Sequence, residues 1–361
     1  MVWSEPAHTR SQVDAAGEYL VYASSGRYDE WDDSQYDELD RSLSVINNWR
    51  SCHSYPLQVL RVTLTGRAKN VHEEALIAQR LKRLESISTK LQNHRHMKLS
   101  QMQDIGGCRA VLPAVHHVDE LVRLHRETIA KNPNPADRPQ FVKEYDYISN
   151  PKKDGYRGVH FVYKYATKSP HRQAYNGLRI EIQLRSQLQH AWATAVETVS
   201  TFTKQALKAN VGTDAWKRFF ALAGSAIALR ERSPLIPNTP NTRTDIATEL
   251  RQVSQQLNAW HILHTCGQVL QHGATNLPGA VTYLLVMDPE QGTTVVTGFG
   301  PKDFASANAE YLKVERAIRN KPGPQAVLVS VDSMDALRRA YPNYYLDTSA
   351  FVEALKMAVK A

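Results

Sequence analysis

Hydrophobic residues recur along the chain at both helical and strand spacing, which predicts a protein of mixed α and β structure. Before residue 50 the spacing is helical, with an apolar side formed by Leu39, Leu43, Ile46 and Trp49. The segment VLRVTL, which follows Pro56, predicts a short strand. Residues 73–92 predict a helix, along which one apolar stripe comprises Ile77, Leu81, Leu84 and Leu91.

The clearest strand pattern in the chain is LRIEIQLRS, residues 178–186. A period of two separates its aliphatic residues from the opposite, polar face, which carries Arg179, Glu181, Gln183 and Arg185. Further strands are predicted at DIGGCRAVLP, FVKEYDYI and VHFVYKY. Helices are predicted over residues 118–131 and from QLQHAWATAVE onward. This order of elements predicts a mixed sheet flanked by helices.

A second group of strands follows a proline-rich segment, SPLIPNTPNTRTD, which is the best linker candidate. The next segment, ELRQVSQQLNAWHILHTCGQVLQ, predicts a helix. After Pro278, the pattern predicts a small ββαβα domain with its own sheet, built from VTYLLVMD, TTVVTGFG, a helix over 304–319, AVLVSVD and helices around Ala336 and Val352. We therefore expect an α+β protein with four parts: an N-terminal helical segment (1–60), a mixed-sheet core (61–232), a linker and helix (233–277) and a C-terminal domain (278–361).

Composition excludes several classes of protein. With 42% hydrophobic and 22% charged residues, the chain can bury real cores and does not fit a mostly disordered protein. It has no apolar run long enough for a membrane helix, and its polar N-terminus lacks the pattern of a signal peptide. The three cysteines, Cys52, Cys108 and Cys266, are far apart and form no CxxC pair, so we expect a cytoplasmic protein without a disulfide framework. The net charge of +8 is compatible with a nucleotide or nucleic-acid partner.

The first candidate for phosphate chemistry is RLKRLESISTKL, residues 80–91. Its basic side chains recur every three or four residues of the predicted helix, so they can line one wall of a cleft. Arginine can fork onto phosphate oxygens, and lysine supplies a point charge. Taken alone, this segment also fits a solvated basic helix face.

Two carboxylates form the second candidate. Asp104 stands beside Gly106 and Gly107 at the mouth of a predicted strand, where an acid can hold Mg²⁺ while the glycines leave room for a nucleotide. Glu181 lies on the polar face of the alternating strand, flanked by Arg179 and Gln183. The alternatives are a turn or cap for Asp104 and a buried ion-pair network for Glu181.

The third candidate is the segment DYISNPKKDGYRGVH, residues 146–160. Asp154 and Gly155 predict a turn, Tyr156 can serve as an aromatic platform, and positive charge comes from Lys152, Lys153 and Arg157. Stacking of a base on an aromatic ring contributes about 1–3 kcal/mol. An ordinary hairpin loop with a surface tyrosine is the alternative.

The order and spacing of four stretches resemble the synthetase domain of the RelA/SpoT-homologue superfamily: RLKRLESISTKL, DIGGCR, DYISNPKKDGYRGVH and IEIQLRSQLQHAWATAVE. The resemblance implies a nucleotidyl/pyrophosphokinase synthetase fold that transfers the β,γ-diphosphate of ATP to a ribose hydroxyl. It implies that Asp104 and Glu181 are catalytic and hold Mg²⁺. It further implies ATP contacts from Arg80, Lys82, Arg83 and Lys90, and acceptor contacts from Tyr156, His160 and Arg185.

This sequence departs from the family in two respects. Ser186 stands where a threonine is usual after the QLR of residues 183–185, and no His-Asp dipeptide is present, so we expect no alarmone-hydrolysing half. The stretches QHAWATAVE and AQRLKRLESI are similar to the toxic small synthetases, some of which modify the 3′-CCA end of tRNA. For a tRNA acceptor, surface candidates are Arg123, Arg126, Lys131 and Arg138, whose alternative is a solvated helix and loop.

The C-terminal part contains a Tyr-x-x-Tyr element, Tyr341 to Tyr344. In this position it resembles the CapRel-type fused toxin–antitoxins. That resemblance implies that the two tyrosines block the ATP site and that a phage protein, notably a major capsid protein, relieves the block. By itself, the element also fits ordinary core packing around Pro342.

Other interpretations stay open at this stage. An alarmone synthetase using GDP, GTP or adenosine nucleotides fits the same motifs, and so does a non-catalytic nucleotide- or RNA-binding module, which the intact pair of Asp104 and Glu181 disfavours. A further cluster has linear spacing that suits no common zinc finger, so we expect ordinary packing for His261, His264, Cys266 and His272.

Overall fold

A computed structural model describes residues 3–25, 31–132, 136–206, 213–266, 271–275, 278–288, 290–318, 323–345 and 347–360. The helices are α1 (Arg10–Ser25), α2 (Asp33–Cys52), α3 (Ser54–Val71), α4 (Leu84–Asn93), α5 (Val115–Lys131), α6 (Gln187–Ala206), α7 (Thr213–Arg230), α8 (Arg243–Leu257), α9 (Ala259–Cys266), α10 (Phe304–Ile318), α11 (Met334–Ala340) and α12 (Ser349–Lys360). The strands are β1 (Leu76–Leu81), β2 (Gly106–Leu112), β3 (Gln140–Asp146), β4 (Val159–Lys164), β5 (Arg179–Ser186), β6 (Gln271–Thr275), β7 (Thr282–Asp288), β8 (Thr293–Phe299) and β9 (Gln325–Ser330).

The described strands form one nine-stranded sheet in the order β3-β4-β5-β2-β1-β9-β7-β8-β6. The pairs β2–β5 and β6–β8 are parallel, and the other pairs are antiparallel. Helices flank this sheet, so the predicted α+β class with a mixed sheet is confirmed. The described part of the chain contains no helix that is both long and apolar enough to cross a membrane.

The strand predicted at VLRVTL is wrong, because this segment lies inside α3. Leu57, Leu60, Leu64 and Ala68 recur every three or four residues, and this side of the helix is buried against the sheet. Pro56 lies in the first turn of α3, where a helix does not need the missing N–H.

The helix predicted over residues 73–92 is also wrong in its first half. Residues Leu76–Leu81 form β1, and α4 begins only at Leu84. Because β1 is an interior strand with neighbours on both sides, its apolar residues need no strict alternation, and Ile77 and Leu81 imitate a helical stripe with Leu84. Of the basic residues of this segment, Arg80 therefore lies in β1, Lys82 and Arg83 lie between the two elements, and Lys90 lies in α4.

The strands predicted after Pro278 do not form a separate sheet. Instead, β9 pairs with β1 through Gln79↔Ser330 and Arg80↔Val329, which joins the C-terminal strands to the rest. An uncovered β1 would expose unpaired N–H and C=O groups along a strand edge, and β9 covers this edge. This two-pair contact, which we call the seam, is much shorter than the six-pair ladders on either side, β1–β2 and β7–β9.

The long helix predicted from residue 249 to 271 is divided in the structure. Asn258, with a positive φ of 49°, ends α8, and a second helix, α9, follows at once. The predicted helix is also too long at its end, because its last residue, Gln271, begins β6 (Gln271–Thr275), which pairs with β8. Asparagine tolerates the left-handed conformation, so Asn258 is a sufficient reason for the break.

A helical core lies beside the sheet. Buried side chains of α6, α7, α8, α9 and α12 pack together, among them Trp192, Phe219, Phe220, Leu250 and Phe351. Trp192 also donates its indole N–H to the Phe220 carbonyl, at 2.9 Å. This core supports the loop that carries Tyr156, because the Tyr156 ring packs against Trp192 with centroids 6.3 Å apart.

Candidate active site

The register of the sheet brings the predicted site residues onto one face. Arg80 of β1 pairs with Gly107 of β2, and Gly107 pairs with Glu181 of β5. Directly paired residues of neighbouring strands point to the same side of a sheet, so these positions form one row. A Cβ added to Gly107 would meet only the Glu181 carbonyl oxygen, at 3.9 Å, so there is open space above this row.

Two lysines hold Asp104 at the mouth of β2. Lys82 Nζ lies 2.8 Å from Oδ2, and Lys90 Nζ lies 2.9 Å from Oδ1. Burial acts to raise the pKa of Asp104, but the charges and hydrogen bonds of the two lysines outweigh it and lower the pKa to about 2. Asp104 is therefore ionised at neutral pH.

Glu181 is held from two sides. His160 Nδ1 lies 3.0 Å from Oε1, and Gln183 donates from Nε2 to Oε2 at 2.6 Å. Burial acts to raise the pKa of Glu181, but the contacts with His160 and Gln183 prevail and the pKa is lowered. The charge of Asp104 acts in the opposite direction and raises the pKa of Glu181, as expected for two carboxylates close enough to repel each other.

The two carboxylates fit a magnesium ion by the chemistry of their donors. Mg²⁺ prefers oxygen ligands and is commonly bound by one or two carboxylates, with water and substrate phosphates at its remaining positions. Both oxygens of Asp104 now contact lysines, so a metal ion at Asp104 would replace an ammonium group. Among the described residues, no group of three or more His, Cys, Asp or Glu side chains is placed to bind a metal alone.

A short relay of hydrogen bonds links the predicted acceptor residues to Glu181. The Tyr156 hydroxyl contacts His160 Nε2 and accepts a hydrogen bond from Arg185 Nη2 at 2.8 Å. The opposite nitrogen of His160 contacts Glu181. Sequence reasoning selected these residues but did not predict that His160 joins Tyr156 to Glu181.

The loop that carries Tyr156 is fixed by its neighbours. Gly155 has a φ of +99°, and a Cβ there would lie 2.7 Å from the Phe220 carbonyl oxygen, so no other residue fits. Arg157 is buried, pairs with Glu231 at 3.1 Å and donates to Ser233 Oγ at 2.6 Å. Arg157 therefore fixes the loop in place and does not supply the positive charge that the sequence predicted for binding a substrate.

The C-terminal tyrosines lie against the basic side of the site. Tyr341 and Tyr344 are only 4% and 3% exposed. The guanidinium of Arg109 lies 5.9 Å from the centre of the Tyr341 ring, and Arg83 donates to Gln325 of β9. Burial, opposed in part by Arg109 and Arg80, raises the pKa of Tyr341 to about 12, so its hydroxyl stays protonated.

Sequence reasoning missed Arg109. It belongs to the DIGGCR stretch and pairs with Gln183, two positions along β2 from Gly107, so the period of the strand was the available signal. Arg109 also approaches the Ala340 carbonyl at 3.5 Å, and His190 on α6 contacts the Arg339 carbonyl at 3.1 Å. The face of the sheet that carries the candidate site thus binds the end of α11 through side chain–backbone contacts.

A second contact with the C-terminal part was also missed. Glu315 of α10 accepts two hydrogen bonds from the buried Arg50, at 2.7 and 3.2 Å, and one from the Tyr311 hydroxyl at 2.7 Å. It also accepts one from the backbone N–H of Leu84, at 3.0 Å. The carboxylate therefore caps α4, the helix that carries Lys90. No local pattern signals a pair so distant in sequence.

Other predicted residues lie elsewhere. Arg123 pairs with Glu127, and Arg126 pairs with Glu144 and Asp146, so both of these surface arginines share their charge with acids. His261 and His264 lie on α9, whereas the side chains of Cys266 and His272 lie outside the described residues.

Comparison with known proteins agrees with the motifs. Residues 79–206 match the family model described as the region found in RelA / SpoT proteins. The matched part of the chain carries both Asp104 and Glu181. The match ends at the last residue of α6, so β7, β8 and β9 lie outside it. No curated protein matches the chain.

Solved structures similar to the chain include small alarmone synthetases and a protein of the GTP pyrophosphokinase family. Small alarmone synthetase 1 from Bacillus subtilis, bound to its product pppGpp, is 22% identical, with 49% of this chain and 88% of that chain covered and a TM-score of 0.39. Small alarmone synthetase 2 from Bacillus subtilis is 20% identical, with 49% and 89% covered and a TM-score of 0.38. A GTP pyrophosphokinase family protein from Streptococcus pneumoniae is 20% identical, with 58% and 92% covered and a TM-score of 0.37.

Proposed function

We propose that the chain is a pyrophosphokinase that transfers the β,γ-diphosphate of ATP to a ribose 3′-hydroxyl. The observation that carries this proposal is the ionised Glu181, held by His160 and joined through it to Tyr156. In the proposed step, the acceptor oxygen attacks the β-phosphorus of ATP and the bond to the α-phosphate breaks. AMP leaves, and the hydroxyl proton passes to Glu181.

The cations beside Glu181 suit the charge of the donor. Arg80, Lys82, Arg83 and Lys90 hold ATP in this proposal, and Asp104 and Glu181 hold Mg²⁺, which neutralises charge on the transferred phosphates. Positioning and electrostatic stabilisation supply most of the catalysis in phosphoryl transfer, and the cleft offers groups for both. Lys82 and Lys90 can bind phosphate oxygens when they release Asp104.

For the acceptor, we propose the 3′-CCA end of tRNA, whose modification would inhibit translation. The net charge of +8 and the platform at Tyr156 support a nucleic-acid acceptor. A free nucleotide, either GDP or GTP or an adenosine nucleotide, is the second candidate. The pairing of Arg123 and Arg126 with acids favours it, because these two arginines are then less available to RNA phosphates.

We further propose that the C-terminal part is an intramolecular antitoxin. Its support is the burial of Tyr341 and Tyr344 against the basic side of the site and the pairing of β9 with Arg80 itself. A tethered domain has an effective concentration in the millimolar range, so even a weak contact keeps the site closed. A phage protein, with a major capsid protein as the candidate, would open it by binding the open state more tightly, which would make the chain an anti-phage defence protein.

Transfer of label from γ-³²P-ATP to bulk tRNA, GDP, GTP or AMP tests the function. The Tyr341→Ala chain, expected to be open, is the enzyme, and it is compared with the same chain carrying Glu181→Gln or Asp104→Asn. Either change should abolish transfer, because it removes a charge at the reacting phosphates. Glu120→Gln, at an exposed position on α5, is the matched control.

Each outcome of this assay has a distinct meaning. Loss of transfer in both site variants, with circular dichroism unchanged and normal transfer in the control, supports the proposal. Full transfer with Glu181→Gln would remove Glu181 from the mechanism. ATP binding without transfer to any acceptor would favour a non-catalytic nucleotide-binding module.

A further inference from the structure

Two more tyrosines continue from the acceptor platform toward the edge of the sheet. The Tyr147 ring lies 5.7 Å from the Tyr156 ring, and Tyr145 stacks on Tyr147 with centroids 5.8 Å apart and an interplanar angle of 13°. Both of these additional rings are half-buried, so one side of each is accessible. Three tyrosines therefore follow one another from the reacting end of the cleft to β3.

A lysine ammonium group lies close to each of these tyrosine rings. Lys143 Nζ lies 4.6 Å from the centre of Tyr145, and Lys152 Nζ lies 4.3 Å from Tyr147 and 5.1 Å from Tyr156. Both lysines are exposed. A long flexible ammonium group beside an aromatic face can move onto a phosphate when a base takes its place on the ring.

The alternation of β3 keeps acidic groups away from this surface. Lys143 and Tyr145 point to one side of the strand, and Glu144 and Asp146 point to the other, where both contact Arg126 of α5. Tyr145 pairs directly with His160 across β3 and β4, so the lysine and tyrosine side is also the catalytic side. The surface is thus positive, aromatic and continuous with the site.

We propose that Lys143, Tyr145, Tyr147 and Lys152 form a track that binds the single-stranded nucleotides preceding the acceptor ribose of an RNA. This inference rests on the proposed function, because it takes Tyr156 as the platform of the reacting nucleoside. One free nucleotide has one base and needs one platform. Two further rings with their own cations match the bases and phosphates of neighbouring nucleotides.

The position of the track makes it testable in the full chain. β3 is the terminal strand of the sheet, and β4, β5 and β2 separate it from β1, where the C-terminal strands join. RNA binding at the track is therefore expected in the closed protein, without ATP or a trigger. The probe is a fluorescein-labelled tetraribonucleotide, ACCA, followed by fluorescence anisotropy, with AMP as the competing mononucleotide.

Tyr145→Ala should weaken binding of the tetranucleotide about 5- to 150-fold, the loss expected for one stacked base. Tyr145→Phe keeps the ring and should bind as the wild type does, which separates stacking from folding. Lys143→Gln should reduce the slope of log K against log salt by about 0.7, the value for one phosphate of a single strand. The matched controls, Tyr36→Ala on α2 and Lys313→Gln on α10, are exposed residues outside the track and should change neither quantity.

The inference is overturned if Tyr145→Ala and Lys143→Gln bind the tetranucleotide as the controls do. It is also overturned if AMP competes as well as unlabelled ACCA and loses affinity equally in Tyr145→Ala, since the rings would then belong to a mononucleotide pocket. Failure of the proposed function gives a different result. In that case no acceptor is labelled by γ-³²P-ATP, yet tetranucleotide binding still depends on Tyr145.

Discussion

The guanidinium of Arg50 and the carboxylate of Glu315, 265 positions apart in the chain, form a buried ion pair with two contacts. Arg50 also donates from Nε to the Lys82 carbonyl at 3.0 Å, and Glu315 caps α4. Through this pair, α10 is fixed to the segment that carries both lysines of the site. The C-terminal part is therefore attached to the rest of the protein by this ion pair as well as by Tyr341 and Tyr344.

Replacing Glu315 with alanine should both destabilise the protein and raise transfer in the absence of a trigger. Removing one partner of a buried ion pair leaves an uncompensated charge and costs about 3–5 kcal/mol. Urea unfolding and basal label transfer measure the two effects. Glu310→Ala, on the same helix and in an exposed pair with Lys313, should change stability by less than about 1 kcal/mol. Wild-type stability and wild-type basal transfer in Glu315→Ala would show that the ion pair of Arg50 and Glu315 does not keep the C-terminal part on the site.

Cells that express Tyr341→Ala or Tyr344→Ala should stop growing, whereas the wild-type chain should be tolerated. The reason is the loss of a ring from the basic side of the site, and adding Glu181→Gln should restore growth. Tyr345→Ala is the matched control, because Tyr345 is also buried, at 7% exposed, but packs near Arg338 within the C-terminal part. Equal toxicity of all three alanine variants would point to lost packing rather than to an opened ATP site.

Loss of the His160 ring should move the acid limb of the pH–activity profile to higher pH. Burial, which raises the pKa of Glu181, stays in His160→Ala, while the opposing hydrogen bond is removed. The profile should be measured in an open background such as Tyr341→Ala. Tyr156→Phe removes only the hydroxyl and leaves the contact of His160 with Glu181, so its acid limb should not move. An unchanged acid limb in His160→Ala would mean that Glu181 is not the titrating group.

Acid should remove the stability contributed by Asp104. Because the folded-state pKa is lowered from 3.8 to about 2, this contribution is complete above about pH 4 and is lost as the pH falls toward 2. Its size is about 2 kcal/mol. Urea unfolding at pH 5, 4 and 3 should show the wild type converging on Asp104→Asn as the pH falls. A constant difference between the two across this range would contradict the lysine contacts.

Two glycine substitutions should have opposite effects on the free energy of unfolding. Gly66→Ala, in the interior of α3 with open space around the new Cβ, should stabilise the protein by about 0.5–1 kcal/mol. Gly155→Ala should destabilise it by at least about 1–3 kcal/mol, because of its positive φ and its contact with the Phe220 carbonyl. It should also weaken acceptor use, since the same loop places Tyr156. Equal stability of the two variants would argue against the described loop.

The spacing of hydrophobic residues predicted those strands and helices whose conformation depends on nearby residues in the sequence. The alternation of residues 179–186 predicted β5 and placed Glu181 on its polar face. In the structure, His160 contacts both Glu181 and Tyr156, and the charge of Asp104 acts on Glu181. The helix predicted over residues 73–92 was wrong in its first half, because the apolar residues of an interior strand and of the following helix together have helical spacing. Arg50, Glu315 and the seam could not be predicted, because each depends on contacts between segments more than 200 residues apart.

The shortness of the seam has a mechanical consequence. Only two residue pairs join β1 to β9, while the six-pair ladders on either side can remain whole when they part. Separation at this line breaks no other strand pairing. It leaves a strand edge with unsatisfied N–H and C=O groups on β1 and another on β9. Such edges are templates for strand addition. Any protein that supplies a strand to one of them would compete directly with reclosure, so the length of the active period would depend on how long that strand stays paired.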